Sequence, residues 1–67
     1  MKARVNFRAL CPYDIKEDGT ELYNWYTEEY EVDEIRSTET GVMLHCPADD
    51  CWQSFAHEQI NIMTITE

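Results

Sequence analysis

Apolar side chains at every second position constrain this chain more than any other feature of its sequence. The pattern occurs in residues 3–9, in residues 30–32 and again in residues 42–46. A period of two places alternate side chains on the same face of a β-strand, whereas a helix requires a period of about 3.6. Turn signals at Asp18-Gly19 and Pro47–Asp50 separate these segments. The alternation therefore predicts a mostly β protein.

The order of the predicted strands follows from where the alternation starts and stops. The first strand, residues 3–9, ends before Pro12, which lacks a backbone N–H donor. A long polar loop follows it. The later strands are predicted at residues 29–36 with a β-bulge near Asp33-Glu34, at 42–46, at 51–55 and at 60–65, with one helical turn at residues 55–59.

Residues 20–28 leave two interpretations open. On a helix, one face would carry Leu22, Tyr23, Tyr26 and Tyr30. The density of Tyr, Trp, Thr and Asn in this segment instead favours extended or turn structure. We predict a structured loop with one helical turn.

The short chain limits both the number of cores and the kinds of function. With 67 residues it is expected to form a single domain, residues 1–67, since a chain of this size buries only about 60% of its unfolded surface. Little room remains for a substrate cleft, so we expect no enzyme and assign no catalytic residues. No apolar run is long enough for a signal peptide or a membrane span, so the sequence predicts a cytoplasmic protein.

Acidic residues dominate the chain after its first sixteen residues. The formal net charge is −9; residues 1–16 carry +3, and the remainder has only Arg36 against thirteen carboxylates. Such a surface repels phosphate backbones and anionic lipids and attracts basic partners. We therefore expect a protein partner with a basic surface, and neither direct nucleic-acid binding nor membrane binding.

The stretch Asp18–Ile35 combines four aromatic rings with seven carboxylates in eighteen residues. Tyr30 alternates with Val32 and is assigned to the core or its rim. The other rings exceed what so small a core can hold, and surface Tyr and Trp are typical of protein interfaces, where nearby carboxylates steer a basic partner. A solvated acidic loop with its rings packed underneath is the alternative. The predicted partner-binding residues are Tyr13, Glu17, Asp18, Glu21, Tyr23, Trp25, Tyr26, Glu28 and Glu29.

Three cysteines and two histidines allow a second alternative, a zinc-stabilised domain. Cys46 and Cys51 flank a four-residue loop and would face each other across a hairpin. Further candidate ligands are Cys11, His45 and His57. Thiolate and imidazole suit tetrahedral zinc, and a bound metal would stabilise a small core. Only one closely spaced cysteine pair is present, so we expect no cofactor. An odd number of cysteines without an export signal also argues against structural disulfides.

Several local sequences resemble the SH3-like barrel family. Arg8-Ala9-Leu10 with Tyr13-Asp14 is similar to the family's Ala-Leu-Tyr-Asp-Tyr opening with a two-residue insertion. Residues 17–22 are similar to its acidic first loop, residues 30–32 to its second strand, and residues 55–60 to the turn before its last strand. The resemblance spans nearly the whole chain and extends to stand-alone SH3-like proteins of phages and bacteria. It implies a small five-stranded barrel with a long first loop and one short helical turn.

The resemblance implies a binding function, because the family holds proline-rich or basic peptides between its first loop and an aromatic shelf. Tyr13 would be one shelf aromatic, and Glu17, Asp18 and Glu21 would form an acidic wall. The family's shelf Trp and its turn Pro and Tyr have no counterpart at the matching positions of this chain. In an SH3-like fold with these departures, the binding surface is therefore expected to differ from the family's usual one.

These arguments together predict a small acidic protein-binding module or inhibitor. One hypothesis places it in a phage or mobile element, where it would engage a basic surface of a host nucleic-acid-handling complex, with nucleic-acid mimicry as its sharpest form. A zinc-stabilised structural domain and a peptide-binding SH3-like adaptor are the alternatives. The oligomeric state, monomer or homodimer, is left open.

Overall fold

A computed structural model describes residues 1–67 and contains eight strands with one short 3₁₀ helix. In chain order the strands are β1 Lys2–Arg8, β2 Asp14–Ile15, β3 Glu21–Leu22, β4 Trp25–Glu31, β5 Glu34–Ser37, β6 Gly41–Cys46, β7 Cys51–Ala56 and β8 Ile60–Thr66, and the 3₁₀ helix His57–Gln59 precedes β8. The prediction of a mostly β protein is confirmed. No helix in the protein combines the length and the apolar character needed to span a membrane.

The strands form three small antiparallel sheets, and none of them closes on itself. The first sheet has the order β4-β1-β8, the second contains only β2 and β3, and the third has the order β5-β6-β7. Every paired neighbour in these sheets runs antiparallel. The strands predicted at residues 3–9, 42–46, 51–55 and 60–65 match β1, β6, β7 and β8 to within one residue.

The hydrophobic core joins the two three-stranded sheets. Ala3 and Val5 of β1 are fully buried, as is Leu44 of β6. The ring of Phe55 on β7 lies 4.8 Å from the ring of Phe7 on β1, so the sheets meet through aromatic contact. The buried set alternates along β1 and β6, as a strand period of two requires. Its members are Ala3, Val5, Val32, Val42, Leu44, Cys46 and Phe55.

The chain passes from the first sheet to the third at Val32 and Asp33. The Val32 N–H donates to the carbonyl of Met1 at 2.9 Å, whereas the next N–H, of Asp33, donates to the carbonyl of His45 at 3.2 Å. Consecutive residues therefore bond to different sheets, which separates β4 from β5. The prediction of a single strand over residues 29–36 with a β-bulge near Asp33-Glu34 is therefore wrong, because two strands of different sheets occupy this segment.

The prediction of a loop with one helical turn over residues 20–28 is wrong. This segment contains β3 and the first half of β4, and β4 starts at Trp25 rather than at Glu29. Trp25, Tyr26 and Thr27 all pair with β1, from Arg8 opposite Trp25 to Asn6 opposite Thr27. Aromatic and β-branched residues favour this extended pairing. The predicted loop is therefore a shorter connection that contains a hairpin of its own.

Residues 9–24 form an arm that projects from the body of the protein. The protein measures 44 × 22 × 19 Å and has a radius of gyration of 13.7 Å. A compact chain of this length has a radius of gyration of about 11 Å. No hydrogen bond joins residues 10–22 to any residue outside the arm. The elongation therefore reflects an arm that does not fold back onto the core.

The 3₁₀ helix ties β7 to β1 through a buried glutamine. The Gln59 side-chain oxygen accepts a hydrogen bond from the Ala56 N–H at 2.9 Å, and its amide nitrogen donates to the carbonyl of Arg8 at 3.0 Å. Both bonds satisfy backbone groups at strand ends. The helical turn predicted over residues 55–59 is present, although it covers only His57–Gln59.

Candidate protein-binding site

Backbone hydrogen bonds hold the arm as a hairpin that continues the pairing of β1 with β4. The Ala9 N–H donates to the backbone carbonyl of Asn24 at 2.9 Å. Nearer the tip, the Tyr13 N–H donates to the backbone carbonyl of Leu22 at 2.8 Å. Gly19 adopts a φ of 88°, which an L side chain rarely adopts, and so allows the chain to reverse. The Asp18 carboxylate accepts the Thr20 N–H at 2.9 Å and closes the tip. The predicted Asp18-Gly19 turn is therefore the end of the arm.

One face of the arm carries an acidic and aromatic surface, which we call the arm face. Strand alternation places Glu21, Tyr23 and Trp25 on the same side of the chain. The Tyr23 hydroxyl donates to the Glu21 carboxylate at 2.6 Å. The Arg8 guanidinium lies 4.0 Å from the centre of the Tyr23 ring, and Arg8 pairs with Trp25 across the strands. The arm face comprises Tyr13, Ile15, Glu21, Tyr23 and Trp25, with Arg8 at its base.

Several large apolar side chains on the arm and at its base are uncovered, whereas Leu22 and Tyr23 are half-buried. Leu10, Tyr13, Ile15 and Trp25 are each exposed, and Tyr13 retains 62% of its accessible surface. A two-stranded hairpin is marginally stable in water without a further surface to cover it. Exposed aromatic residues beside polar ones are also what the core of a protein interface is built from. The arm face therefore exposes aromatic and acidic side chains side by side.

The arm is acidic over its whole length. It carries Asp14, Glu17, Asp18 and Glu21 against Lys16 alone, a net charge of −3. All five of these residues are exposed, so their field extends into solvent. Charge of one sign beside exposed rings favours association with a surface of the opposite sign.

Hydrogen bonds shift the pKa values of two groups on the arm. The bond to Glu21, together with the negative charge of that carboxylate, raises the pKa of Tyr23 above its ordinary value. The bonds from Thr20 lower the pKa of Asp18 below its ordinary value. Tyr23 is therefore a neutral donor and Asp18 a carboxylate at physiological pH.

The structure brings together some of the residues predicted to bind a partner and separates others. Tyr13, Glu21, Tyr23 and Trp25 share the arm face, and Glu17 and Asp18 lie at the tip. Tyr26 and Glu28 alternate to the other side of β4, where the Tyr26 ring lies 5.7 Å from the ring of Phe7 and Glu28 pairs with Val5. Glu29 is on the same side as Trp25 but opposite Arg4, further along the sheet.

Sequence reasoning missed Arg8, Leu10 and Ile15. Arg8 was assigned only to the polar side of the first strand, and its stacking on Tyr23 depends on a pairing between distant segments. Leu10 follows the end of the alternating segment and Ile15 is an isolated apolar residue in a polar segment, and these positions are the signal that the sequence offers. An apolar residue in a segment that cannot reach the core is a candidate contact residue.

The residues considered as zinc ligands occupy different parts of the protein. Cys46 and Cys51 are paired across β6 and β7, as predicted from their spacing, and both are free thiols. Cys11 is exposed near the base of the arm. The His57 ring bonds to the carbonyl of Thr38 at 2.7 Å. No group of three or more His, Cys, Asp or Glu side chains is placed to hold a metal ion.

A histidine cluster on the outer side of the third sheet forms a second polar centre. His45 Nδ1 lies 2.6 Å from the Asp33 carboxylate, and Nε2 lies 3.1 Å from that of Asp50. The His45 ring also contacts Trp52, with 4.9 Å between the ring centres. The Arg36 guanidinium lies 5.0 Å from the centre of the Trp52 ring. The two carboxylates hydrogen-bond the ring and raise the pKa of His45 above its ordinary value of 6.5.

The His45 cluster makes stability depend on pH. A histidine whose pKa is raised by folding contributes stability that is complete below pH 6.5 and is lost as the pH rises through the raised value. We expect the melting temperature to fall as the pH rises above about 6.5 and through the raised pKa of His45, and the His45→Gln variant to lack this step. Thermal unfolding followed by circular dichroism at a series of pH values measures it. Parallel curves for the two proteins would show that Asp33 and Asp50 do not act on His45.

Comparison of the chain with models of known protein families, with curated protein sequences and with solved structures gave no match in any of the three.

Proposed function

We propose that this protein is a small acidic protein-binding module whose arm face engages a basic surface of another protein. The observation that carries the proposal is the uncovered acidic and aromatic face on an arm that makes no hydrogen bonds to the body. Residues that contribute nothing to a core are free to make contacts elsewhere. The module has no need of a cleft, since a projecting hairpin enters the partner's surface instead.

The arm face offers anchors that lose little entropy on binding. The Tyr23 ring is held between Arg8 and the Glu21 carboxylate, so its orientation is set before a partner arrives. Preorganised side chains lose less rotamer freedom when they are buried in an interface. Trp25 and Tyr13 flank this fixed ring with exposed surface, and Trp and Tyr are the residue types most often found at interface hot spots.

Charge selects the kind of partner. The net charge of −9 repels nucleic acid and other acidic proteins at long range. Glu17 and Asp18 at the tip of the arm are the first charges that a partner meets. A surface rich in Lys and Arg is therefore the complementary partner, and such surfaces are typical of proteins that handle nucleic acids. In this role the protein would act as an inhibitor that mimics nucleic acid.

The proposed framework is an SH3-like barrel in which β4 and β5 are two halves of one bent strand. The order of elements supports it: a first strand, a long arm, a meander of β5, β6 and β7, a 3₁₀ helix and a closing strand. This is the order that the sequence resemblance implies. In this assignment the arm takes the place of the family's first loop. The proposed setting, a phage or mobile-element product acting on a host complex in the cytoplasm, rests on size, acidity and this resemblance.

Affinity capture with matched tryptophan variants tests the proposal. The wild-type protein, a Tyr13→Ala, Trp25→Ala double variant and a Trp52→Ala control are immobilised and used to capture proteins from a bacterial extract. Each hot-spot ring contributes about 1.4 kcal/mol or more, so the double variant is expected to recover its partner at least about tenfold less well. Trp52 lies on the third sheet, away from the arm, so the control is expected to retain binding.

Salt and partner composition give independent checks. Recovery is expected to fall when the salt concentration is raised, because screening weakens the attraction between opposite charges. Mass spectrometry is expected to identify proteins with basic surfaces. Equal recovery by the double variant, or binding that survives high salt unchanged, would contradict the proposal. A partner lost only by Trp52→Ala would place the interface on the third sheet.

A further inference from the structure

The outer edge of β8 has no backbone partner. β8 is the last strand of the first sheet and pairs only with β1. Outside the sheets, the only backbone hydrogen bond of residues 60–66 runs from the Ile60 N–H to the carbonyl of His57, so Asn61–Thr66 have none. An unpaired edge presents a row of N–H and C=O groups to any extended chain that approaches it.

Proteins usually protect such an edge with charged residues, with proline or by keeping the strand short. β8 has seven residues, none of which is charged or proline. A bulge opposite Asn6 and Phe7 distorts its start and leaves Ile62–Thr66 regular. The edge at the other side of the same sheet, β4, carries Glu28, Glu29 and Glu31 and is protected by them.

The remaining uncharged edge, β7, is less available. Its side chains are mostly half-buried or buried. Trp52, one of its two exposed residues, is covered in part by Arg36 and His45. On β8, by contrast, five of the seven residues are exposed, and Ile62 retains 59% of its accessible surface.

We propose that the β8 edge pairs antiparallel with the β8 edge of a second copy of this chain, about a two-fold axis through Thr64. This register places Thr64 opposite itself, Met63 opposite Ile65 and Ile62 opposite Thr66. Every pair then joins residues from the same face of the sheet, as strand alternation requires. The two first sheets become one continuous six-stranded sheet.

A second copy fits this edge better than a foreign chain does. A strand is self-complementary under a two-fold axis, and β8 offers no charge to select another partner. Lys2 and Arg4 of β1 pair with Thr66 and Thr64, so the strand behind the edge carries positive charge. These residues offset part of the repulsion between two chains of charge −9.

The dimer is expected to be weak and to respond to salt. Five paired residues on each side form a contact smaller than a standard interface, which corresponds to a dissociation constant on the order of 10–100 μM. Added salt screens the repulsion between the two acidic chains, so dimerisation is expected to strengthen. Binding of a basic partner to the arm face has the opposite dependence, so failure of one proposal is distinguishable from failure of the other.

Sedimentation of charge variants tests both the edge and the register. The wild type is expected to pass from monomer to dimer between about 5 μM and about 500 μM. Thr64→Lys and Thr64→Glu are each expected to remain monomeric, because like charges would meet at the axis. An equimolar mixture of the two variants is expected to form the dimer again. Ile15→Lys, at a residue that is 60% exposed on the arm, is the matched control and is expected to dimerise like the wild type.

Several results would overturn the proposal. A wild type that stays monomeric at high concentration and high salt would do so, as would dimerisation of Thr64→Lys alone or loss of the dimer in Ile15→Lys. Amide hydrogen exchange of the wild type needs no variant and is decisive if the substitutions impair folding. Protection within residues 62–66 is expected to rise with protein concentration, and protection that does not change would refute the pairing.

Discussion

Gly41→Ala is expected to lower the free energy of unfolding by about 3 kcal/mol or more. Gly41 begins β6 opposite Ala56, and a Cβ atom there would lie 2.1 Å from the Phe55 carbonyl oxygen and 2.9 Å from its carbon. Both are backbone atoms of β7, so the clash cannot be relieved by rotating a side chain. Overpacking a well-packed site costs about 1–3 kcal/mol and occasionally more, and here the strand itself must shift. A chain of this length has a total stability of only about 3–10 kcal/mol.

Gly19→Ala is the matched control for this prediction. Gly19 has a φ of 88° at the tip of the arm, and no atom lies within 4 Å of a Cβ built there. Gly19→Ala is therefore destabilising only through the left-handed backbone conformation, by about 1–2 kcal/mol, and the affected site lies outside the core. Urea denaturation of both variants, followed by tryptophan fluorescence, separates the two effects. Equal midpoints would mean that β6 and β7 do not approach as closely as the structure has them.

The strands that alternation predicted most directly, β1 and β6, have one buried and one exposed face. β1 and β6 alternate because Ala3, Val5 and Leu44 enter the core while their neighbours face outward. The first half of β4 was not predicted as a strand. Trp25, Tyr26 and Thr27 are all exposed, so burial imposes no alternating pattern on the sequence there. Its position is set by pairing with β1, between residues about twenty positions apart. Such long-range pairing leaves little local signal.

The candidate site was predictable in composition but not in geometry. Exposed rings and carboxylates identified Tyr13, Glu21 and Trp25 without any knowledge of strand register. Whether Tyr26 joins them depends on one residue of register, because neighbouring side chains of a strand face opposite ways. The register turns Tyr26 toward Phe7 and away from the arm face. The arm projects because contacts between it and the body are not made. A local sequence pattern does not show whether such contacts form.

Leu44→Ala is expected to lower the free energy of unfolding by about 2–5 kcal/mol. Leu44 is fully buried and is one of the two largest side chains in the core with no exposed surface. β6 pairs with β5 on one side and with β7 on the other, which holds the strands around Leu44 in place. Removal of the branched end of Leu44 therefore leaves a cavity that the surroundings fill only in part. In a protein of about 3–10 kcal/mol total stability this loss leaves a substantial unfolded fraction. Thermal and urea unfolding both measure it.

Leu10→Ala makes the same chemical change on the arm and is expected to alter the free energy of unfolding by less than about 0.5 kcal/mol. Leu10 is 74% exposed, against 0% for Leu44, so its side chain transfers almost no surface from water on folding. A large loss of stability in Leu10→Ala would mean that the arm packs against the body in solution. The arm face would then be covered by the protein itself, and the basic partner would have no exposed surface to bind.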